Sequence, residues 1–375
     1  MRFGYLIHNN NHGDWERHQT TDRSAPPETR DADQLINDLR LMETAVGYGF
    51  DTVWTSEHHF SPYLMVPNTI QLLSYVAGRC PTVDVGTAVV VLPWHEPIRV
   101  AEELIMLDTV LGGRKVFIGL GRGAGVAEFD GMRVPMGESR ERFDEAVQII
   151  KLALSQEVIE FDGQHFQIPR VSIRPRPRST DLADRLYNAW LSPGSLQLAA
   201  ETGLAPLFAV ERKPEEYVSE RERYDTLRAD AGHKPVASKA VSFISVADSE
   251  QEAYDHMAWK LGYSDDVKRH YAWADTEKYK SIGGYDYYAD RGQFMESLDR
   301  ETELANLEAV SLWGTPDTVL QKIETLVQTS GCDEIISPFN FGGMPWSDGE
   351  KCLRLFAEKV LPIARQIQPR PQVNA

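Results

Sequence analysis

The residues best equipped for chemistry lie in Glu57-His58-His59-Phe60. An apolar run, Phe50-Asp51-Thr52-Val53-Trp54, precedes them and reads as a buried strand. Two imidazoles and a carboxylate just past a strand's C-terminal end are proton-handling groups, set where barrel and open α/β enzymes do their work. Imidazole suits acid–base catalysis because its pKa lies near working pH. A proton-transfer role for one of the two imidazoles, His58 or His59, is the expected use. A metal site is a competing use, but adjacent strand residues point to opposite faces, so neighbouring histidines seldom ligate one ion. No second HxH or HxxxH pattern completes a ligand set, although His8, His95 and Asp108 are possible partners. No metal is expected. Buried, satisfied histidines are the plain alternative.

Three further segments point to an anion. Ser192-Pro193-Gly194-Ser195 follows a strand-like run and starts a helix, with Ser192 as N-cap and Pro193 at the first helical position. The amides of Gly194, Ser195 and Leu196 would then face outward beside two hydroxyls, a ready anion site. A well-capped helix without a ligand explains the same residues. Gly119-Leu120-Gly121-Arg122-Gly123 closes another strand, where glycines let backbone approach a ligand and Arg122 offers a fork to phosphate. It lacks the Gly-Lys-Ser/Thr ending of a P-loop and the spacing of a dinucleotide fingerprint. Arg140 falls in the first turn of a helix, where a cation is mildly unfavourable and a bound anion would relieve it. Pairing of Arg140 with Glu138 or Asp144 is the alternative.

The elements that must position these groups alternate strand-like with helical runs, the pattern of a parallel sheet. Strand candidates are 3–7, 52–56, 83–92, 115–120, 186–191, 206–210, 240–246 and 334–339. Eight strands are what a closed (β/α)8 barrel requires, with a doubly wound open sheet as competitor. Phe143, Val147, Ile150 and Leu154 form one stripe of a helix, as do Val319, Ile323 and Leu326 behind Thr315-Pro316 as N-cap and first residue. Three stretches exceed a minimal barrel. Residues 9–32 form a long polar connection that reads as a flap. Residues 157–178 hold an Asp162-Gly163 hairpin signal, and 263–304 read as a lid or binding loop.

The chain has 375 residues, beyond the ~250 of a typical barrel, and is 42% apolar and 10% aromatic, ample for a core. Thirty-nine basic against 56 acidic side chains give 39 − 56 = −17, which disfavours nucleic acid and anionic membrane surfaces. Cys80, Cys332 and Cys352 are widely spaced, which fits a reducing cytoplasm and small apolar packing rather than a disulfide framework. The N-terminus turns polar too quickly for a signal peptide, and no apolar stretch is long enough to span a membrane.

In order and spacing these segments resemble the bacterial luciferase-like family of flavin-dependent monooxygenases. The carriers are Gly49-Phe50-Asp51-Thr52-Val53-Trp54, Glu57–Phe60, Val85-Gly86-Thr87-Ala88-Val89-Val90-Val91-Leu92-Pro93, Gly119–Gly123, Glu138-Ser139-Arg140 and Trp313-Gly314-Thr315-Pro316. The likeness runs from Met1 to near Arg365, with gaps in the three inserted stretches. It implies a (β/α)8 TIM barrel with FMN, as FMNH2, at the strands' C-terminal ends. It places phosphate-binding arginines on Arg122 and Arg140, hydroxyl ligands on Ser192 and Ser195, and a non-proline cis peptide at Ala88–Val89. His58 looks like the catalytic imidazole and the expected acid/base, with Glu57 and His59 orienting it. The resemblance further implies a homodimer in a two-component system: a separate NAD(P)H-flavin reductase supplies FMNH2, and one atom of O2 enters a small apolar carbonyl or terpenoid-like substrate through a flavin peroxide. Phe60, Trp94, Trp190, Phe208, Phe339 and Phe341 are candidates for a dry wall. Where luciferase has a reactive cysteine this chain has Gly121, which argues against light emission and is expected to open room near the flavin. A deazaflavin-dependent hydride-transfer enzyme of the same superfamily, a non-catalytic flavin-binding subunit and a metal-dependent barrel hydrolase are the other readings.

Overall fold

Eight parallel strands close on themselves in chain order: Arg2–Ile7, Thr52–Thr55, Asp84–Val91, Val116–Gly121, Leu186–Ala189, Ala205–Ala209, Ser238–Val241 and Cys332–Ser337. The computed structural model describes residues 1–20, 24–273 and 275–370. The protein is a (β/α)8 barrel, as the eight strand-like runs predict. Every expected strand forms, with one correction. Residues 240–246 do not make a single strand, because the barrel strand ends at Val241 and Ile244–Val246 pairs instead with Leu312–Gly314 outside the barrel.

Alternation along the strands sorts side chains into two layers. Val53, Val85 and Ile118 face outward into the main apolar cluster against the helices. Trp54, Phe117, Tyr187, Leu207 and Ile336 point inward and fill the barrel. Trp54 stacks on Phe117 at 5.9 Å. Gly86 makes this possible, since a Cβ there would collide with the indole. The inward layer includes charge: Lys239 Nζ lies 2.7 Å from Glu334 Oε2 and 3.2 Å from Asp333 Oδ1. Glu334 also accepts from Thr52 and from Trp54 Nε1.

Helix Ser139–Ser155 buries Phe143, Val147, Ile150 and Leu154, as its stripe predicts. Helix Pro316–Ser330 buries Val319, Ile323 and Leu326, but Thr315 does not cap it with its side chain. That hydroxyl donates to Glu250 Oε1 instead, tying the helix start to the neighbouring outer segment.

Among the described residues each of the three inserted stretches carries regular structure. Residues 9–32 include a 3-10 turn, His12–Asp14, and a helix, Trp15–Gln19, with Asn11 N donating to the Pro62 carbonyl; positions 21–23 of the expected flap lie outside the described residues. The Asp162-Gly163 signal produces the antiparallel hairpin Val158–Asp162 with Gln167–Ser172. The stretch expected as a lid or loop, 263–304, is helical: Met257–Tyr271, Thr276–Lys280, Asp286–Ser297 and the start of Arg300–Val310. Among the described residues no helix is long and apolar enough to cross a membrane.

Candidate active site

A cavity of 320 Å³ opens at the C-terminal ends of the strands, under the helices that follow residue 257. Its walls include Glu57, His58, Ala88, Val89, Arg122, Arg140, Ser192 and Ser195. Of the residues marked in the sequence as catalytic or flavin-binding, only His59 does not line it.

His58 is oriented by a carboxylate that the sequence reading did not name. Its Nδ1 lies 3.1 Å from Glu128 Oε1, which also accepts from the His59 backbone N–H at 2.9 Å. Glu128 is presented by the first turn of the short helix Val126–Met132. On its other side, His270 Nε2 lies 3.3 Å from Oε2, and His270 Nδ1 is 2.7 Å from Ser61 Oγ. Burial would raise the Glu128 pKa, but His58 and His270 overcome it and hold the carboxyl well below its usual range. For His270 burial dominates, and its pKa is lowered despite Glu128. An anionic Glu128 takes the Nδ1 proton of His58 as a hydrogen bond and leaves Nε2 to act on the cavity side.

The expectation that Glu57 and His59 orient His58 is corrected here. Glu57 Oε1 accepts from His59 Nε2 at 3.1 Å and His95 Nε2 at 2.7 Å, while Oε2 accepts from the Val91 backbone at 2.8 Å. Burial opposes ionisation of Glu57, yet these bonds lower its pKa and raise that of His95. Glu57 and His59 thus brace the turn after the second strand against the third. The donor atoms of His58, Glu128 and His270 fall within 4.8 Å of one another and could hold a cation. The partners considered from sequence do not join them: His95 serves Glu57, Asp108 accepts from Ser179, and the ring nitrogens of His8 have no hydrogen-bond partner among the described residues.

The two arginines do converge. Arg122 lies 4.1 Å over the Tyr285 ring and donates to the Gly284 carbonyl at 3.0 Å. Arg140 has no ion pair or hydrogen bond among the described residues, and burial followed by the charge of Arg122 lowers its pKa. Of its two alternative partners, Glu138 pairs with Arg142 at 2.8 Å, and Asp144 forms no ion pair with Arg140 although its charge partly offsets the lowering. Two unneutralised guanidiniums at one rim fit a phosphate dianion. Ser192 and Ser195 meet them but form a capping box with each other. The amides of Ser195 and Leu196 donate to the Ser192 carbonyl, so they are less open than the sequence implies.

Ala88–Val89 is a cis peptide facing the cavity. Gly121 does not open room beside it, because a Cβ at 121 would collide with Val89 Cγ2; the valine already fills the space. Of the aromatic candidates Trp94, Trp190 and Phe208 line the cavity. Phe60 is 54% exposed, Phe339 packs behind the barrel on Tyr5 and Phe50, and Phe341 packs on Phe243. Tyr63, Phe243, Tyr263, Tyr271, Trp273 and Tyr288 complete the wall, four of them from the inserted helices and the turn after them.

Residues 1–334 match the profile of the luciferase-like monooxygenases. The chain belongs to that family. It is 25% identical over 352 residues to the alkanal monooxygenase alpha chain of Photorhabdus luminescens, covering 92% of this chain and 95% of the relative. The oxygenating constituent of 3,6-diketocamphane monooxygenase from Pseudomonas putida, a type II Baeyer-Villiger monooxygenase solved in complex with FMN, shares the fold at a TM-score of 0.70 and 19% identity, covering 99% of both chains. So does the coenzyme F420-dependent tetrahydromethanopterin reductase of Methanopyrus kandleri, at 0.64 and 20%, covering 96% of this chain and 99% of that one. This luciferase-like monooxygenase therefore shares its barrel with a protein solved in complex with FMN and with one dependent on coenzyme F420.

Proposed function

We propose that this chain is the oxygenating component of a two-component monooxygenase, using FMNH2 delivered by a separate NAD(P)H-flavin reductase to place one atom of O2 in a small carbonyl or terpenoid-like substrate. The observation that carries this reading is the pair Arg122 and Arg140, without carboxylate partners, on the same cavity as the His58–Glu128 pair. Reduced flavin, when bound, supplies the electrons and the oxygen-activating chemistry. Arg122 and Arg140 would hold its phosphate, helped by the hydroxyls of Ser192 and Ser195, and Ala88 and Val89 form part of the wall that would receive the rest of it. His58 holds or releases a proton at Nε2 towards an oxygen in the cavity, and Glu128 stabilises the imidazolium when that proton is held. Glu57 and His59 act indirectly, by fixing the turn that carries His58. The aromatic wall excludes water, which such chemistry needs. A homodimer belongs to the same proposal.

The test is anaerobic loading with FMNH2 followed by labelled O2 and a panel of aldehydes and ketones. One labelled oxygen atom per product molecule is expected. Oxygen consumption without any oxygenated product, or binding of reduced deazaflavin in preference to FMNH2, would overturn the reading.

A further inference from the structure

The main cavity adjoins a second one of 400 Å³ that lies between the inserted helices and the segment following the sixth strand. Lys260, on helix Met257–Tyr271, borders both and is only 7% exposed in a chamber walled by aromatic rings. Its Nζ lies 2.9 Å from the centroid of Phe243 and 4.7 Å from that of Tyr263. It makes no hydrogen bond and no ion pair among the described residues. The acids around it are committed elsewhere: Glu211 pairs with Arg291 at 2.8 Å, Asp266 with His12 at 2.8 Å, and Glu303 with Lys268 at 2.8 Å. Beside it His8 is 3% exposed, borders the same cavity, and has both ring nitrogens unpartnered among the described residues.

A buried amine without an acceptor carries a desolvation cost that folded proteins seldom retain without use. Burial, only partly offset by Glu211, pushes the Lys260 amine well below its ordinary range. Burial, then Lys260 and His58, bring His8 down to about 3. An amine and an imidazole without hydrogen-bond partners among the described residues, both pushed towards their neutral forms by burial, therefore share one chamber lined by aromatic rings. What completes such a pair is an acidic oxygen. Bound there, it forms an ammonium–oxyanion pair in a medium of low dielectric, and a neutral imidazole adds one N–H donor.

We infer that Lys260 and His8 form a subsite for an acidic oxygen of the substrate, a carboxylate or a phenolate, at the end of an otherwise apolar body. This rests on reading the cavity as the oxygenation site, and it narrows the substrate class from plain carbonyl compounds to those with an ionisable group. On binding, an anionic ligand enters together with one proton, which goes to the Lys260 amine.

The test compares octanoate and 2-naphthoate with their methyl esters, by calorimetry on the full chain with and without FMN. The acids should bind at least about tenfold more tightly than the esters, the scale of one charge-assisted hydrogen bond. Lys260→Met should remove the preference while leaving ester affinity as it was. Titrations of the unmodified protein in two buffers of different ionisation enthalpy should report uptake of about one proton per acid bound, which keeps the test decisive even if the variant does not fold. Equal affinity for acid and ester, a preference that survives Lys260→Met, or absence of proton uptake each overturns the subsite. None of these readouts needs oxygenation, so failure of the FMNH2 experiment and failure of this one are separable.

Discussion

The barrel's interior and its mouth each bury a lysine, and they treat it in opposite ways. Lys239, 1% exposed, faces Glu334, with Asp333, Phe117 and Tyr187 around it. Burial opposes its charge, but Glu334, Tyr187 and Asp333 together outweigh it and the pKa rises. Lys260 is almost as buried and meets only rings, so burial wins and its pKa falls. The same contrast extends outward. Inside, Glu334 is bonded by Lys239, Thr52 and Trp54; at the mouth, Arg140 and His8 are left without partners among the described residues. A group whose bonds are all made within the chain holds the fold together. A group left open at the cavity waits for something the chain does not contain.

The predictions follow from that division. Lys239→Met leaves the buried Glu334 with only Arg2, at 3.7 Å, as a counter-charge, so stability should fall by about 3–5 kcal/mol in urea unfolding; a loss under 1 kcal/mol would erase the interior half of the contrast. His58→Ala should cut oxygenation on the order of 10²–10⁴-fold while flavin still binds. Unchanged turnover removes His58 from the chemistry. Arg140→Ala should weaken FMNH2 binding by about 1.5–3 kcal/mol, the worth of a hydrogen bond to a charged group, and should shift the unfolding midpoint little. If it unfolds the protein and spares affinity, Arg140 belongs with the interior groups. Lys260→Met should have the smallest effect and the opposite sign, a gain of about 0.5–2 kcal/mol at neutral pH.

Its pH dependence sharpens the comparison. The folded-state pKa of Lys260 lies below its ordinary 10.5, so the unfolded chain binds the extra proton between those values. Stability of the unmodified protein must then rise with pH across that window, and the advantage of Lys260→Met must shrink as 10.5 is approached. Lys239 has the reverse sign. Its folded pKa is raised, so its stabilisation is complete below 10.5 and fades only as pH climbs above it. Between pH 7 and 9.5 unfolding curves should show the advantage of Lys260→Met shrinking and the deficit of Lys239→Met unchanged.

The barrel was legible because it depends on local signals: short apolar runs rich in Val and Ile, spaced by amphipathic helices. The 240–246 run misled because apolar character persists after Val241, and only the exit of the chain from the barrel separates the two strands. Arg122, Arg140 and the Ser192 turn were legible because each follows or starts an element at the mouth. Glu128 had a visible signal, an acid in the first turn of a helix after the glycine-rich strand end, but its partner His58 is 70 positions away. His270, Lys260, Tyr263, Tyr271 and Tyr288 had none. They come from an inserted segment whose polar composition resembles a loop, and tertiary packing alone turns them inward.

Helix Met257–Tyr271 carries Lys260 and, ten residues on, His270, which adjoins the carboxylate behind His58. Recognition of the ligand's tail and control of the acid–base group thus hang from a single rod that is not part of the barrel. Exchanging that rod for a relative's would swap both properties in one stroke, so chimaeras made at this junction should change their preferred substrate and their pH profile together, never one alone.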